Sequence, residues 1–152
     1  MSGRRFGQVP LALWRKKQFK ALSNEAKLAV LYFWCGPHSE SAGVSETPDL
    51  YAEADLDWPR ERWQAARQEA ERAGFIKRDA ETETVLVVDY LRSNRPTNAG
   101  HHRAVKNQIS LITCDQLRTE AEMEYSTICG PPHSAGNSDA SQELREKVRR
   151  GH

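Results

Sequence analysis

Between residues 48 and 74, the apolar and polar positions follow the spacing of two consecutive helices. The first helix is short and follows Thr47 and Pro48, which pair a capping hydroxyl with a residue suited to the first helical position. Pro59 interrupts this helix and suits the start of a second, longer one. We expect the second helix to end at Gly74, because glycine readily adopts the left-handed conformation that closes many helices.

The second helix is predicted to have one apolar side and one polar side. The apolar residues that recur at helical spacing are Trp63, Ala66, Ala70 and Ala73. The side facing away from them carries Glu61, Gln64, Gln68 and Arg72, flanked by Arg60 and Arg67. This pattern predicts a helix that packs on a core with its apolar side and exposes its polar side.

Two β-rich runs, residues 75–78 and 85–89, flank a polar turn and predict a hairpin. Helix, turn, helix and hairpin follow one another in the order of a winged helix. We therefore expect a mainly α fold with a small β-hairpin, namely a winged helix-turn-helix with a C-terminal helical extension.

The flanking segments complete the predicted organisation. Ser23 is suited to cap a buried helix that runs to about Trp34, and Gly43-Val44 is a candidate for a short third strand. Residues 99–125 are apolar enough for one or two further helices. The expected units are a winged-helix domain with a basic N-terminal arm (1–91), a basic connector with C-terminal helices (92–125), and a flexible tail (126–152).

Charge is separated along the chain although the net charge is only +1. Residues 1–22 carry six cations and no acid, whereas residues 23–59 carry seven acids against Lys27 alone. Residues 92–118 are basic again. Such separation favours a surface for a polyanion more than the mean charge does.

Composition limits the class of protein. Hydrophobic residues make up 38% of the chain, and no apolar run approaches the roughly 18 residues that span a bilayer. The basic N-terminus lacks an apolar signal core, and three cysteines do not suggest a disulfide framework. We expect a cytoplasmic protein that makes no membrane contact.

Short motifs in a fixed order resemble a known family. They include Ala73-Gly-Phe-Ile76, Val85-Leu-Val-Val88, Tyr90-Leu-Arg-x-Asn94-x-Pro96-x-Asn98 and Leu50-Tyr-Ala-x-Ala-Asp-Leu56. Together they resemble the N-terminal winged-helix domains of phage and prophage replication-initiator-like proteins, over about residues 6–108. The resemblance implies binding of double-stranded DNA in replication or regulation, without catalytic residues.

The second helix supplies the first candidates for DNA contact, because Arg and Gln can each make paired hydrogen bonds to base edges in the major groove. These candidates are Arg60, Gln64, Arg67 and Gln68. The alternative is an ordinary solvated face, since nearby glutamates almost balance the arginines of this helix.

Further cations are candidates for phosphate contact. Lys77 and Arg78 open the hairpin, and Arg4, Arg5, Lys16 and Lys17 lie in the N-terminal arm. A third group follows the hairpin and consists of Arg92, Arg95, Arg103 and Lys106. For each group the alternative is a charged surface that only faces water, and the acidic hairpin tip is not expected to touch phosphate.

Other chemistry receives little support. Cys35, His38, Cys129 and His133 have spacings near those of zinc ligands, but the two pairs are far apart in sequence and neither is a CxxC motif. No phosphate-binding glycine loop, GxSxG or HExxH motif is present. We expect neither an enzyme nor a resident cofactor.

Two functions from different classes stay open at this level. The first is a DNA-binding protein, in which a homodimer would match paired half-sites. The second is a protein-interaction module whose acidic residues 23–59 dock a basic replication or host-defence protein.

Overall fold

In the computed structural model of the protein, residues 6–130 are described. A 3₁₀ turn, Leu11–Arg15, leads into the short helix α1, Lys17–Lys20, and then into the buried helix α2, Asn24–Cys35. Ser23 caps α2 as predicted, since its hydroxyl accepts a hydrogen bond of 3.1 Å from the backbone N–H of Ala26.

The central part of the chain contains a strand, two helices and a hairpin. These elements are β1 (Val44–Glu46), α3 (Asp49–Leu56), α4 (Arg60–Arg72), β2 (Ile76–Asp79) and β3 (Thr84–Val87). The three strands form an antiparallel sheet in the order β1-β3-β2. The predicted hairpin and the short third strand are both confirmed.

Three helices follow the hairpin within the described range: α5 (Tyr90–Ser93), α6 (Ala99–Ser110) and α7 (Asp115–Cys129). The expected helices after residue 99 are thus present. The predicted start of a tail at residue 126 is wrong for its first residues, because α7 continues to Cys129 and Ile128 packs against the core. Residues 131–152 lie outside the described range.

Helix α4 packs on the core with the predicted apolar side. Trp63 and Ala70 are fully buried and Ala66 is almost so. The ring of Trp63 lies 5.4 Å from that of Tyr32 and 5.5 Å from that of Phe33 on α2, measured between centroids. Aromatic contacts of this kind, together with small alanines that allow close approach, hold α4 against α2.

Strand β3 is buried at all four positions because both faces of the sheet are covered. On one face of the sheet, Leu86 lies beside Lys77 of β2, and α7 covers this face. On the other face, Val85 lies beside Arg78, which contacts Asp49 of α3. A strand buried on both faces reads as a continuous apolar run, which explains the sequence Val85-Leu-Val-Val88.

Two positions with positive φ set the ends of the central helices. Asp57 adopts the left-handed conformation at φ 53° and ends α3, and Gly74 does so at φ 85° after α4. The predicted end at Gly74 is confirmed. The turn into α4 depends on Asp57 as well as on Pro59, since aspartate tolerates this conformation better than most residues.

The predicted cap at Thr47 is wrong. Helix α3 begins one residue later than expected, with Pro48 as its N-cap and no side-chain hydrogen bond to the first turn. The Thr47 hydroxyl lies 2.8 Å from that of Ser45 instead. The first turn contains Asp49, whose carboxylate is used elsewhere in the fold.

Candidate nucleic-acid interface

The outward side of α4 presents two glutamines that lie one helical turn apart. Gln68 is exposed and Gln64 is partly exposed, on the side opposite Trp63 and Ala66. Neither amide has a hydrogen-bond partner among residues 6–130, so both retain their donors and acceptors. One turn beyond Gln68, the exposed Arg72 also has no ion pair within this range.

The N-terminal end of α4 is charge-compensated. Arg60 is 65% exposed and pairs with Glu53 at 3.2 Å. Arg62 pairs with Glu25 at the same distance, and its guanidinium lies 4.2 Å from the ring centroid of Trp58. Since Glu61 lies between these arginines, this end of the helix offers a polyanion little net positive charge.

Arg67 does not lie on the outward side of α4, and its predicted role in reading DNA is not compatible with its position. Its side chain is only 7% exposed, and its Nε lies 2.8 Å from Oδ1 of Asp49. A second ion pair, at 3.4 Å, joins it to Glu71. Arg67 is therefore a structural residue between α3 and α4 and is not placed to contact DNA.

Both predicted hairpin cations are also engaged within the protein. The Arg78 side chain is 11% exposed and lies 3.7 Å from Asp49 and 3.8 Å from Glu83. Lys77 is half exposed but forms an ion pair with Glu120 on α7. These contacts do not support the phosphate contacts expected for this pair.

The tip of the hairpin is acidic, as its sequence indicates. Asp79 accepts hydrogen bonds from the hydroxyl and the backbone N–H of Thr82, at 2.6 and 2.9 Å. These bonds, led by that of the hydroxyl, hold the pKa of Asp79 below its ordinary value. The tip therefore stays negatively charged at neutral pH.

A group of free cations lies beside the C-terminal end of α4. Lys16 and Lys17 are exposed, as predicted, and so are Arg15 and Lys20, and none has an ion pair in the described part of the chain. Phe19 of α1 meets Phe75 at 5.8 Å between ring centroids, which places this basic segment near Gly74. Arg4 and Arg5 lie outside the described residues.

The predicted cations after the hairpin have different surroundings. Arg92 is 64% exposed and pairs with Asp89 at 3.2 Å, while Arg95 donates a hydrogen bond to the carbonyl of Ile128. Arg103 is exposed without an ion pair among residues 6–130. The ammonium of Lys106, on the same helix, lies 5.6 Å from the ring centroid of Tyr125.

Asn94 joins the N-terminal segment to this post-hairpin region. Its amide accepts a hydrogen bond of 2.8 Å from the backbone N–H of Gln8 and donates one of 2.9 Å to the Gln8 carbonyl. That carbonyl also accepts a bond from the indole N–H of Trp34. The buried amide thereby ties residue 8 to the post-hairpin region.

Helix α4 is further tied to the start of α2 through Glu69. Its carboxylate accepts bonds from the Ser23 hydroxyl at 2.7 Å and from the Ser23 backbone N–H at 2.8 Å. The hydroxyl bond is the main reason that the pKa of Glu69 lies below its ordinary value. This carboxylate holds α4 in place and is not free for a ligand.

A metal site receives no support from residues 6–130, where no group of three or more His, Cys, Asp or Glu side chains is placed to hold an ion. Of the four residues considered for zinc, His133 lies outside this range. His38 contacts Asp55 at 3.0 Å, and Cys35 donates a hydrogen bond to the carbonyl of Leu31.

Comparison of the chain with known protein families, with curated proteins and with solved structures gives no match. Across the described residues, no helix has both the length and the apolar character required to cross a membrane.

Proposed function

We propose that this protein is a non-enzymatic winged-helix protein of phage or mobile-element type that binds double-stranded DNA in the cytoplasm. Its role would be in replication initiation or in transcriptional regulation. The family part of this proposal depends on the sequence motifs alone. The DNA-binding part is also supported by the geometry of α4.

The order of elements supports the winged-helix interpretation. Helix α2, strand β1, helices α3 and α4, and the hairpin β2–β3 follow one another, and the sheet order is β1-β3-β2. In helix-turn-helix proteins the second helix of the pair enters the major groove. By this analogy α4 is the recognition helix.

The observation that carries the proposal is the unengaged pair Gln64 and Gln68 on the outward side of α4. A glutamine amide presents a donor and an acceptor, and it can bind the N6 and N7 edge of adenine with both. The two amides lie one turn apart on a helix held by Trp63 and Glu69. Such a helix presents its polar side without rearrangement.

The distribution of charge favours contact through the C-terminal half of α4. At this end lie the exposed cations Lys17, Lys20 and Arg72, whereas Arg60 and Arg62 at the other end are paired with glutamates. We infer that helix α1, and not the hairpin, contacts the phosphate backbone. Lys17 and Lys20 of α1, with Arg72 of α4, would then contact phosphate in place of Lys77 and Arg78.

A direct test is a gel-shift experiment with random duplex DNA at low salt, followed by selection of bound sequences from a random pool. The proposal predicts retardation at micromolar protein and enrichment of a defined sequence. Binding without enrichment would limit the protein to sequence-independent contact. Absence of binding would contradict the proposal.

One feature favours the alternative, a protein-interaction module. Helix α3 exposes Leu50 and Tyr51 beside Asp55 and Asp57, a surface that is unsuitable for DNA because of its charge. The gel shift separates the two functions, since a pure interaction module leaves random duplex unretarded. The two functions are also compatible, because this surface does not include Gln64 or Gln68.

A further inference from the structure

Residues 11–20, here named the basic strip, comprise the 3₁₀ turn and helix α1 and are mostly exposed. Within the strip only Leu13 and Phe19 are buried. Large apolar side chains are exposed at Leu11 and Trp14. The strip also carries exposed cations that have no ion pair among residues 6–130, namely Arg15, Lys16, Lys17 and Lys20. Exposed apolar groups bordered by charges are typical of binding surfaces.

The geometry of the 3₁₀ turn places Leu11 and Trp14 on the same side. A 3₁₀ helix has three residues per turn, so side chains three positions apart lie one above the other. Leu11 is 86% exposed and Trp14 is 53% exposed, whereas Leu13 between them is buried in the core. The turn therefore presents one apolar patch to solvent and anchors itself with its remaining large side chain.

The indole ring of Trp14 is held in position before any ligand arrives. It meets the ring of Phe19 at 5.3 Å between centroids, with the two planes at 83°. Phe19 is buried and packs in turn on Phe75. A T-shaped contact covers at most one face of each ring, so Phe19 leaves a face of the indole uncovered. A ring fixed in this way loses little conformational freedom when a ligand stacks on it.

The charge around Trp14 is positive. Residues 1–22 contain no acid. Lys16 lines a cleft together with Asp89, but the carboxylate of Asp89 pairs with Arg92 at 3.2 Å. The Cα of Lys17 lies at most about 11 Å from that of Trp14, because three peptide units join them. Anionic groups on either side of a molecule stacked on the indole would thus lie within reach of these lysines.

An exposed ring among cations matches a polyanion whose own rings are accessible. Single-stranded nucleic acid has both properties, because its unpaired bases offer their faces and its phosphates are charged. The bases of a duplex are stacked on their neighbours and offer no such face. A lipid surface fits less well, since interfacial helices use a long apolar face. Helix α1 has four residues, and Leu13, Phe19 and Leu22 of this region are already buried in the core.

We propose that the basic strip binds single-stranded DNA, with one base stacked on Trp14 and the neighbouring phosphates on the cations of residues 15–20. The proposal goes beyond the duplex binding proposed above. It requires neither a duplex nor Gln64 and Gln68, although Lys17 and Lys20 are the cations inferred to contact duplex phosphate. A DNA with an unpaired stretch next to a duplex could therefore occupy the strip and the outward side of α4 together.

The test measures binding of the full chain to a dye-labelled thymidine oligomer of about 15 nucleotides, by fluorescence anisotropy at several salt concentrations. Trp14→Ala should weaken binding at least about fivefold, since replacing a stacked aromatic residue with alanine has an effect of this size or more. The slope of log affinity against log salt should stay unchanged, because no charge is lost. An oligomer that does not bind, or that binds Trp14→Ala like the wild type, would overturn the proposal.

The cations are tested by Lys16→Ala with Lys17→Ala in the same titrations. This variant keeps the indole and loses two phosphate contacts. Its salt slope should flatten by roughly 0.7 per contact, about 1.4 in total, as expected for a single strand. An unchanged slope would show that these lysines do not contact the oligomer and would contradict the proposal.

Trp14→Phe separates stacking from any loss of folding. Phenylalanine keeps a ring on which a base can stack, so this variant should still bind the oligomer. In the wild type the oligomer should quench tryptophan fluorescence, because a base covers an exposed indole. In Trp14→Phe the quenching should be lost, since Trp34 and Trp63 are buried and Trp58 lies against the guanidinium of Arg62. Equal quenching in both proteins would place the base elsewhere and refute the assignment.

Tyr51→Ala is the matched aromatic control. Tyr51 is 46% exposed on α3, where the neighbouring exposed charges Asp55 and Asp57 are negative, so its removal should leave oligomer binding unchanged. A loss as large as that of Trp14→Ala would show that binding does not depend on the basic strip, and the proposal would fail.

Two other ligands separate the alternatives. Trp14→Ala should bind a blunt duplex like the wild type, and an equal loss on duplex and oligomer would make Trp14 a duplex contact and overturn the proposal. Vesicles of phosphatidylglycerol test a lipid surface. Retention on them that depends on Trp14, without oligomer binding, would also overturn it. The gel shift with random duplex tests the proposed function independently, so failure of one proposal is distinguishable from failure of the other.

Discussion

Asp49 and Arg67 form a mostly buried ion pair in which Nε of Arg67 lies 2.8 Å from Oδ1 of Asp49. The same carboxylate oxygen accepts a hydrogen bond of 2.7 Å from the indole N–H of Trp63, and Arg78 lies 3.7 Å from the other oxygen. A single carboxylate at the start of α3 thus connects α4 with β2. It sets how the outward side of α4 stands relative to the hairpin.

Asp49→Ala is predicted to destabilise the fold by about 3–5 kcal/mol, because it leaves the buried guanidinium of Arg67 without its main partner. Asp49→Asn should cost less, since the amide oxygen still accepts the Trp63 bond. Urea denaturation measures both values. The difference between the two free energies of unfolding separates the cost of losing the charge from the cost of losing the hydrogen-bond acceptor.

Two further proteins serve as controls for the Asp49 prediction. Glu25→Ala removes an exposed ion pair with Arg62 and should cost about 1 kcal/mol or less. Arg67→Met, added to Asp49→Ala, should recover part of the loss because the buried charge that has lost its main partner is then gone. If Asp49→Ala were no more destabilising than Glu25→Ala, the ion pair would not hold α4 in place.

Glu124 predicts a dependence of stability on pH. Burial raises the pKa of this carboxyl, and the negative charge of Asp89 raises the pKa further. The hydrogen bond of 3.0 Å that the carboxyl accepts from the backbone N–H of Leu91, and the positive charge of Arg92, lower the pKa in part. The folded state thus favours the protonated acid. Its contribution to stability is present below the ordinary pKa of 4.5 and is lost as pH rises through the raised value.

Glu124→Gln should therefore be more stable than the wild type at neutral pH, and this advantage should vanish in acid. The glutamine oxygen still accepts the Leu91 bond without the cost of a buried charge. Melting temperatures across the pH range give the comparison, with the exposed Glu122→Gln as the control. An advantage that is constant with pH, or larger in acid, would refute the assignment.

The basic segment at α1 predicts how DNA binding responds to salt. Lys17→Ala with Lys20→Ala should weaken binding to every duplex. A protein that makes fewer phosphate contacts releases fewer counterions from the DNA when it binds. The slope of log affinity against log salt should flatten by roughly 0.9 per contact, about 2 in total. Titrations at several salt concentrations measure this slope.

Lys77→Ala is the matched control for the salt experiment. Lys77 is already paired with Glu120, so its removal should leave the slope unchanged. A flattened slope for Lys77→Ala, with none for the α1 variant, would return the phosphate contact to the hairpin and contradict the placement on α1.

The sequence pattern predicted the central elements because local signals agree there. Helical spacing identified Trp63, Ala66 and Ala70 as the inward side of α4, and Gly74 ends the helix with the positive φ that its position requires. The hairpin likewise follows from two β-rich runs around a polar turn. Periodicity and turn chemistry are properties of short segments, and a single sequence displays them.

Arg67 shows what local patterns did not supply. Its position, four residues after Trp63, is inward by helical spacing, but an arginine is normally placed outside because burying an unpaired charge is costly. Its partner Asp49 lies 18 residues away on another helix. Contacts between elements decide such positions, and the same reason applies to Arg78 and Lys77, whose partners are also distant in sequence.

Groove reading by α4 is tested most directly by Gln64→Ala with Gln68→Ala, using a sequence selected from a random pool and an unrelated duplex. Affinity for the selected sequence should fall at least about tenfold, since each bidentate pair contributes about 1–3 kcal/mol of discrimination. Affinity for the unrelated duplex should change little. Gln116→Ala, an exposed glutamine on α7, should bind both duplexes like the wild type. An equal loss on both duplexes, or no loss on either, would contradict the assignment of α4 as the recognition helix.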